Sequence, residues 1–315
     1  MLPSIGIPRS RNGSATLLQA LGIRVANCNH FAVGNRGECM DVLPAHHSRT
    51  NDCVPQRLAW YITRSGHASR VIATSFSEVS EPRLYFRQFL SGRDFARDND
   101  LARQMVNFVY AIGDRETGEC LLVDPAYDVD SLVDEVELDG MTVGGVLATH
   151  YHPDHVGGSM MGFRIDGIAA LLERCSVPIH VQRAEVEWVT KVTGVGISSL
   201  VAHEPGDVVS AGHIAVTLLH TPGHTPGSQC FMVDGRLVSG DTLFLDGCGR
   251  TDLPGSNPDD MYDSLQTLAS LPDDTVIFPG HQYSPAASGV MANIRRSNAI
   301  FKPKTKEAWL GWFGA

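Results

Sequence analysis

The chain has 315 residues, 43% hydrophobic and 19% charged, the proportions of an ordinary soluble globular protein with material for one large domain or two modest ones. No apolar run approaches the roughly 18 residues that a bilayer span needs, which argues against a membrane protein. The net charge of −10 is uneven: residues 1 to 75 carry eight arginines, no lysine and only Glu38, Asp41 and Asp52, a local +5 that leaves −15 on the remainder. An acidic body of that size repels phosphate backbones and argues against a nucleic-acid partner.

Residues 1–75 lack periodic apolar patterning and show no secretory apolar stretch with a cleavage site. A disordered extension, or a start codon assigned too far upstream, is preferred for them over a functional domain, and residues 76–315 are expected to form the folded domain. The seven cysteines, Cys28, Cys39, Cys53, Cys120, Cys175, Cys230 and Cys248, are odd in number and form no CxxC pair, which favours a reducing cytoplasm.

"MVNFVYAIGDRETGECLLVD" (105–124) reads as a hairpin, and "DVDSLVDEVELDG" (128–140) as a helix with Leu132, Val133, Val136 and Leu138 on one face and Gly140 as its stop. "TVGGVLATH" reads as a buried strand whose end delivers His150. A helix follows over 162–175, then the strand "VPIHVQ" and the helical stretch "RAEVEWVTKV". "HIAVTLLHT", "GSQCFMVDGRLVSGD" with an Asp234-Gly235 turn, and "DTVIFPGH" supply further strands. Strands alternating with helices and then giving way to hairpins predict a mixed α/β sandwich. The terminal "EAWLGWF" is expected to be an aromatic helix packed on the domain or on a second subunit. No repeat is visible.

The densest chemistry is "ATHYHPDHVGG" (148–158), with His150, His152, Asp154 and His155. Residues i and i+2 of a strand share a side, so His150 and His152 aim together; Pro153 then ends the ladder, and Asp154 and His155 leave in other directions. Four ligands on one corner do not converge on a single tetrahedral ion, which predicts two neighbouring metals. Further ligands are expected from strand ends, where His224 in "HTPGHTPGS", Asp241 in "VSGDTLF" and His281 in "IFPGHQY" follow β-rich runs beside glycine or proline. Imidazole and carboxylate ligands suit zinc, with iron as the alternative, and Asp241 is the natural bridging carboxylate. Asp124, at a strand end, is an equally balanced choice between an orienter of a ligand histidine and a turn residue. His180, His203 and His213 read as surface or sheet residues, and His220 as at most a support behind the ligands.

These motifs, in this order over roughly residues 84–284, resemble the metallo-β-lactamase superfamily. The resemblance implies an αββα sandwich with metals at the edge of the paired sheets, one held by His150, His152 and His224, the other by Asp154, His155 and His281, with Asp241 between them. "GDTLFLDGCGRTD" with "FPGHQY" is most similar to glyoxalase II-like thioesterases and the related persulfide dioxygenases. The glutathione-binding positions of glyoxalase II then fall on Cys248, Gly249, Arg250 and Tyr283. Arg250 is the candidate grip for a substrate anion, Tyr283 the candidate pocket wall, and Cys248 is more readily a packing residue than a nucleophile. The family's helical C-terminal domain is replaced by some 28 residues, which weakens the inference to glutathione.

The reading is therefore a metal-dependent hydrolase that cleaves an acyl thioester or related thiol derivative with metal-bound hydroxide, Asp154 orienting the nucleophile as well as ligating. The alternative is a mononuclear iron persulfide dioxygenase using His150, His224 and Asp241. A lactonase or other ester hydrolase is the third choice, and a metal-binding module without activity the last. The oligomeric state is not legible.

Overall fold

The computed structural model describes residues 82–313. The expected extension over residues 1–75 and its boundary at residue 76 lie outside the described residues. In chain order the elements are β1 (Leu84–Leu90), α1 (Asp100–Met105), β2 (Phe108–Asp114), β3 (Glu119–Val123), α2 (Val129–Leu138), β4 (Thr142–Leu147) and the single turn α3 (Pro153–Val156). There follow β5 (Gly158–Met160), β6 (Phe163–Ile165), α4 (Ile168–Arg174), β7 (Ile179–Gln182), α5 (Val186–Thr193), β8 (Leu200–His203), β9 (Val208–Ala211) and β10 (Ile214–His220). The chain continues with β11 (Gln229–Val233), β12 (Arg236–Gly240), α6 (Pro258–Ala269), β13 (Val276–Pro279), β14 (Gly289–Val290), α7 (Met291–Ser297) and α8 (Lys306–Phe313).

Two six-stranded sheets carry the fold, ordered β1-β2-β3-β4-β7-β8 and β14-β13-β12-β11-β10-β9. The apolar residues divide into three buried layers, as an αββα sandwich requires. Leu132, Val133 and Ile168 pack helices on one outer face, Phe108, Leu147, Val216 and Phe231 fill the space between the sheets, and Leu265, Ile277 and Trp309 pack helices on the other outer face. Strand β2 is buried along its whole length because it has layers on both sides. No described helix is long and apolar enough to cross a membrane.

The expected 105–124 hairpin forms as β2 and β3, and Asp234 and Gly235, both at positive φ (45° and 71°), make the turn between β11 and β12. Two expectations are corrected. Leu138 is 82% exposed, because the inward face of α2 runs Val129, Leu132, Val133, Val136 and a helical step of about 100° carries residue 138 off it. The helix expected over 162–175 begins only at Ile168; Phe163–Ile165 pairs instead with β5 across a turn at Met161 and Gly162, and Met161 and Phe163 are exposed. The terminal aromatic segment is α8, whose Trp309 is buried against α6 while Trp312 is exposed.

Parallel pairing of β4 with β3 and β7, and of β12 with β13, points several carboxyl ends toward one edge of the sandwich. Main-chain bonds tie the sheets together there: Phe108 N–H donates to Gly280 O (2.8 Å), Gln282 N–H to Val106 O (2.9 Å) and Gln229 N–H to Thr149 O (2.9 Å). The loops that leave these ends are consequently held close to one another.

Candidate metal centre

Each of the seven residues singled out by the motifs leaves the end of a strand or the turn after it. His150 lies three residues beyond β4. His152 is the N-cap residue of α3, with Pro153 at its first position, so Asp154 and His155 share one helical turn rather than diverging from an open loop. His224 sits in the loop after β10, Asp241 directly after β12, and His281 two residues after β13. All are buried or nearly so.

The structure brings them together as two clusters. His150, His152 and His224 form one, with His224 Nε2 3.0 Å from His152 Nδ1. Asp154, His155 and His281 form the other, with the two Nε2 atoms 3.2 Å apart and Asp154 Oδ2 3.6 and 3.5 Å from them. Asp241 lies between, its Oδ1 3.5 Å from His155 Nε2 and its Oδ2 3.3 Å from His281 Nε2 and 3.7 Å from His224 Nε2.

The hydrogen bonds around the clusters fix which nitrogen carries the proton in four of the five rings. Asp124 accepts from Thr149 N–H (2.7 Å) and the Thr149 hydroxyl (2.6 Å), so Thr149 Oγ1 has only lone pairs left and accepts from His150 Nδ1–H (2.9 Å). Asp124 also accepts from His155 Nδ1–H (2.8 Å); His224 Nδ1–H donates to Arg250 O (2.8 Å), and His281 Nδ1–H to Met105 O (2.8 Å). Four imidazoles thus turn Nε2 lone pairs into the pocket. His150 Nε2 and Asp241 Oδ1 are buried with no hydrogen-bond partner. Buried polar atoms are rarely left so, and lone pairs converging without a proton between them repel unless a cation joins them. The residues present therefore fit metal ions in both clusters.

The electrostatics say the same. Burial lowers the His155 imidazole, but Asp241, Asp154 and Asp124 outweigh it and lift its pKa to about 10. Without an ion the three carboxylates would thus draw a proton into the pocket. Burial and the neighbouring imidazoles hold His150 well below the ordinary histidine value, while Asp241 is held well below the carboxylate range by His281 and His155 in spite of its burial.

Glycines permit the close approach of these parts. A Cβ at Gly280 would stand 2.3 Å from Asp241 Oδ1, and one at Gly249 would stand 2.0 Å from Asp241 O and 2.9 Å from His224 Nδ1. Gly249, expected from the resemblance at the substrate, packs behind two ligands.

The other expected substrate residues separate. Tyr283 is 55% exposed, stacks on the His281 ring (centroids 4.7 Å, 6°) and meets Phe244 edge-on at 5.1 Å. Burial, with Asp241 and Asp154 close to its hydroxyl, raises its pKa, so the phenol stays protonated at the rim. Cys248 packs against the outer core layer, and burial pushes its thiol up to about 12, too high for a nucleophilic thiolate at neutral pH. Arg250 gives its carbonyl to His224, while its guanidinium points outward in a bidentate pair with Asp252 (2.8 and 2.7 Å).

Sequence reasoning missed Thr149, although its place between the strand and the first ligand was a usable signal. It also missed Asn107 and Glu185. Asn107 Nδ2 lies 3.1 Å from Asp154 Oδ2. Glu185, 1% exposed, accepts from Thr225 Oγ1 and from Gly227 N–H (3.1 Å), clamping the loop that carries His224. His180 and His203 bond each other on adjacent strands (2.8 Å) and His220 Nε2 meets Pro226 O (3.0 Å), apart from the two ligand clusters.

Glu185 makes stability depend on pH. Burial raises its pKa from 4.5 to about 7, so the fold favours its neutral form; that stabilisation is full below about 4.5 and is lost as pH rises through about 7. Glu185→Gln, which mimics the protonated acid, is expected to gain on the order of 3 kcal/mol over wild type between pH 4 and pH 9. Thermal unfolding of both proteins across that range checks this, and parallel curves would refute it.

An αββα sandwich with histidines and aspartates converging where its strands end defines a metal-binding fold of the metallo-hydrolase kind. The chain belongs to the metallo-beta-lactamase superfamily, whose family model matches residues 103–281, and the superfamily binds metal at a dinuclear site. A hydroxyacylglutathione hydrolase of Xanthomonas campestris pv. campestris is 32% identical over 202 residues, covering 64% of this chain and 71% of that protein. A relative named "Probable polyketide biosynthesis zinc-dependent hydrolase BaeB", from Bacillus velezensis, is 29% identical over 65% of this chain and 86% of its own length. Among solved structures, ETHE1 from Myxococcus xanthus matches with a TM-score of 0.59 and 28% identity over 73% of this chain and 90% of that one.

Proposed function

We propose that the protein is a thioester hydrolase with two divalent ions, zinc first among them, acting on a small acyl thioester. One observation carries this reading: four inward Nε2 lone pairs, with every outward nitrogen of those rings already bonded, surround a shared Asp241. His150, His152 and His224 would hold one ion, Asp154, His155 and His281 the second, with Asp241 bridging. Ions bound there polarise a carbonyl oxygen and lower the pKa of water from 15.7 toward about 7.

The chain's own residues do the rest by orientation. Asp124 and the carbonyls of Arg250 and Met105 lock the ring tautomers, so no imidazole must reorganise during reaction. Asp154 Oδ2, turned toward His155 and His281, is placed to accept a water proton and steer the attack. A thiolate leaves without a strong general acid because thiol pKa values lie near 8.5. Tyr283, stacked on His281, walls the entrance, and an anionic substrate group would reach Arg250 by exchanging with Asp252.

Relatives named as hydroxyacylglutathione hydrolases and as a zinc-dependent hydrolase support the reaction class. The similarity to ETHE1 favours a second reading, an iron persulfide dioxygenase on His150, His224 and Asp241. Metal analysis of the purified full chain, with thiol release from thioesters and persulfide-dependent oxygen uptake measured side by side, separates them. Two ions with thiol release are expected; one iron with oxygen uptake overturns the hydrolase.

Cys120, Cys175, Cys230 and Cys248 are all free thiols, which supports a reducing cytoplasmic setting. Residues 1–75 are proposed to be an extension outside the catalytic domain. A chain that starts at residue 76 is expected to keep its ions and turnover, and loss of soluble protein would count against that division.

A further inference from the structure

We propose that Asn107 makes the second ion position, formed by Asp154, His155 and His281, the weaker of the two, and that Tyr127 holds Asn107 in that role. This rests on the reading of the pocket as a two-ion centre.

Asn107 is 1% exposed, directly precedes β2, and forms a β-bridge with His281. Its Nδ2 lies 3.1 Å from Asp154 Oδ2, 3.4 Å from His155 Nε2 and 3.5 Å from His281 Nε2, facing all three ligand atoms of one cluster. An ionised carboxylate only accepts, so the amide nitrogen must be the atom turned toward Asp154. The other end is fixed as well: the Tyr127 hydroxyl donates to Asn107 Oδ1 at 2.9 Å. Tyr127 is 2% exposed, sits at φ 75°, and is pinned by its own N–H to Asp166 O (2.7 Å), so the phenol is held where the amide needs it.

The outcome is an amide that cannot turn, its positively polarised N–H groups directed at the three atoms that would surround the second ion. Those hydrogens share the lone pairs of Asp154 Oδ2 and oppose a cation electrostatically. The first cluster shows no amide donor among the described residues: its His224 Nε2 meets only His152 Nδ1 (3.0 Å), itself a ligand nitrogen that an ion would claim, and its His150 Nε2 has no partner at all. Two clusters with similar ligands are thereby made unequal, and ions should bind in two separable steps.

Two substitutions reverse the effect through different atoms. Asn107→Asp keeps an acceptor for Tyr127 and replaces the donor by a carboxylate oxygen facing the cluster. Tyr127→Phe retains the packing but releases the amide to turn its carbonyl inward. The test is titration of the chelator-stripped full chain with Zn2+ against a chromophoric chelator, with thermal unfolding of each protein. Wild type is expected to show two steps; both variants should tighten the second by roughly tenfold or more and leave the first within about threefold. A residue of merely structural value would instead weaken both steps and lower the melting temperature. A second step that is unchanged or weaker in either variant overturns the proposal while leaving the two-ion reading intact. A wild-type chain that takes up no Zn2+ overturns both.

Discussion

Asp241→Ala is expected to strip ions from both clusters and to lower hydrolytic turnover by about a thousandfold or more. Asp241 lies within 3.7 Å of a ligand nitrogen in each cluster, and its buried Oδ1 has no hydrogen-bond partner. Its removal leaves His155 and His281 facing each other at 3.2 Å with one less negative charge to bind a cation between them. Losing the Lewis acid and the activated water removes about 4 kcal/mol of transition-state stabilisation, which sets the thousandfold scale. Asp241→Asn keeps the shape and removes only the charge, so it controls for collapse of the pocket. Metal counted per chain and turnover on a thioester check both variants. Full ion content with normal turnover in the alanine variant would end the two-ion assignment.

The metal pocket was largely legible because its ligands are punctuated by glycine and proline at strand ends, a local feature of the sequence. The gathering of ligands into two clusters also followed from the crowding of His150, His152, Asp154 and His155, although the route was different: α3 puts Asp154 and His155 on a helical turn where an open corner was expected. What stayed hidden depends on contacts between distant segments. Asn107 reaches the pocket only because Phe108 and Gln282 stitch two sheets together, and Glu185 matters only because β7 ends beside the His224 loop. Element boundaries failed where apolar residues face solvent, as Leu138, Met161 and Phe163 do. Helix α6 was overlooked despite a readable start, Asn257-Pro258, with Asn257 capping Asp259 N–H, and buried Met261, Ser264, Leu265 and Leu268 at helical spacing.

Asp124→Asn is expected to weaken metal retention by roughly 10- to 100-fold, with a comparable fall in turnover at limiting metal. Asp124 takes three hydrogen bonds, two on Oδ2 from Thr149 Oγ1 and His155 Nδ1 and one on Oδ1 from Thr149 N–H. An asparagine offers one acceptor atom, so its amide nitrogen must face at least one of these donors. If the oxygen stays with Oδ2's partners, Thr149 N–H loses its acceptor and β4 shifts where it delivers His150; if the amide turns over, His155 loses the bond that fixes its tautomer. Either way one ring is no longer presented with its Nε2 lone pair inward. The substitution also isolates this chemistry from backbone strain: Asp124 sits at φ 53°, a region asparagine enters readily, so the turn after β3 is retained. Asp124→Ala would confound the two effects, since alanine is strained at that φ. The measurement is the chelator concentration that half-strips each protein, read beside its melting temperature in the ion-free state. Unaltered retention would demote Asp124 to a turn residue; weaker retention at nearly unchanged ion-free stability is the result that assigns it to holding His150 and His155 for the ions.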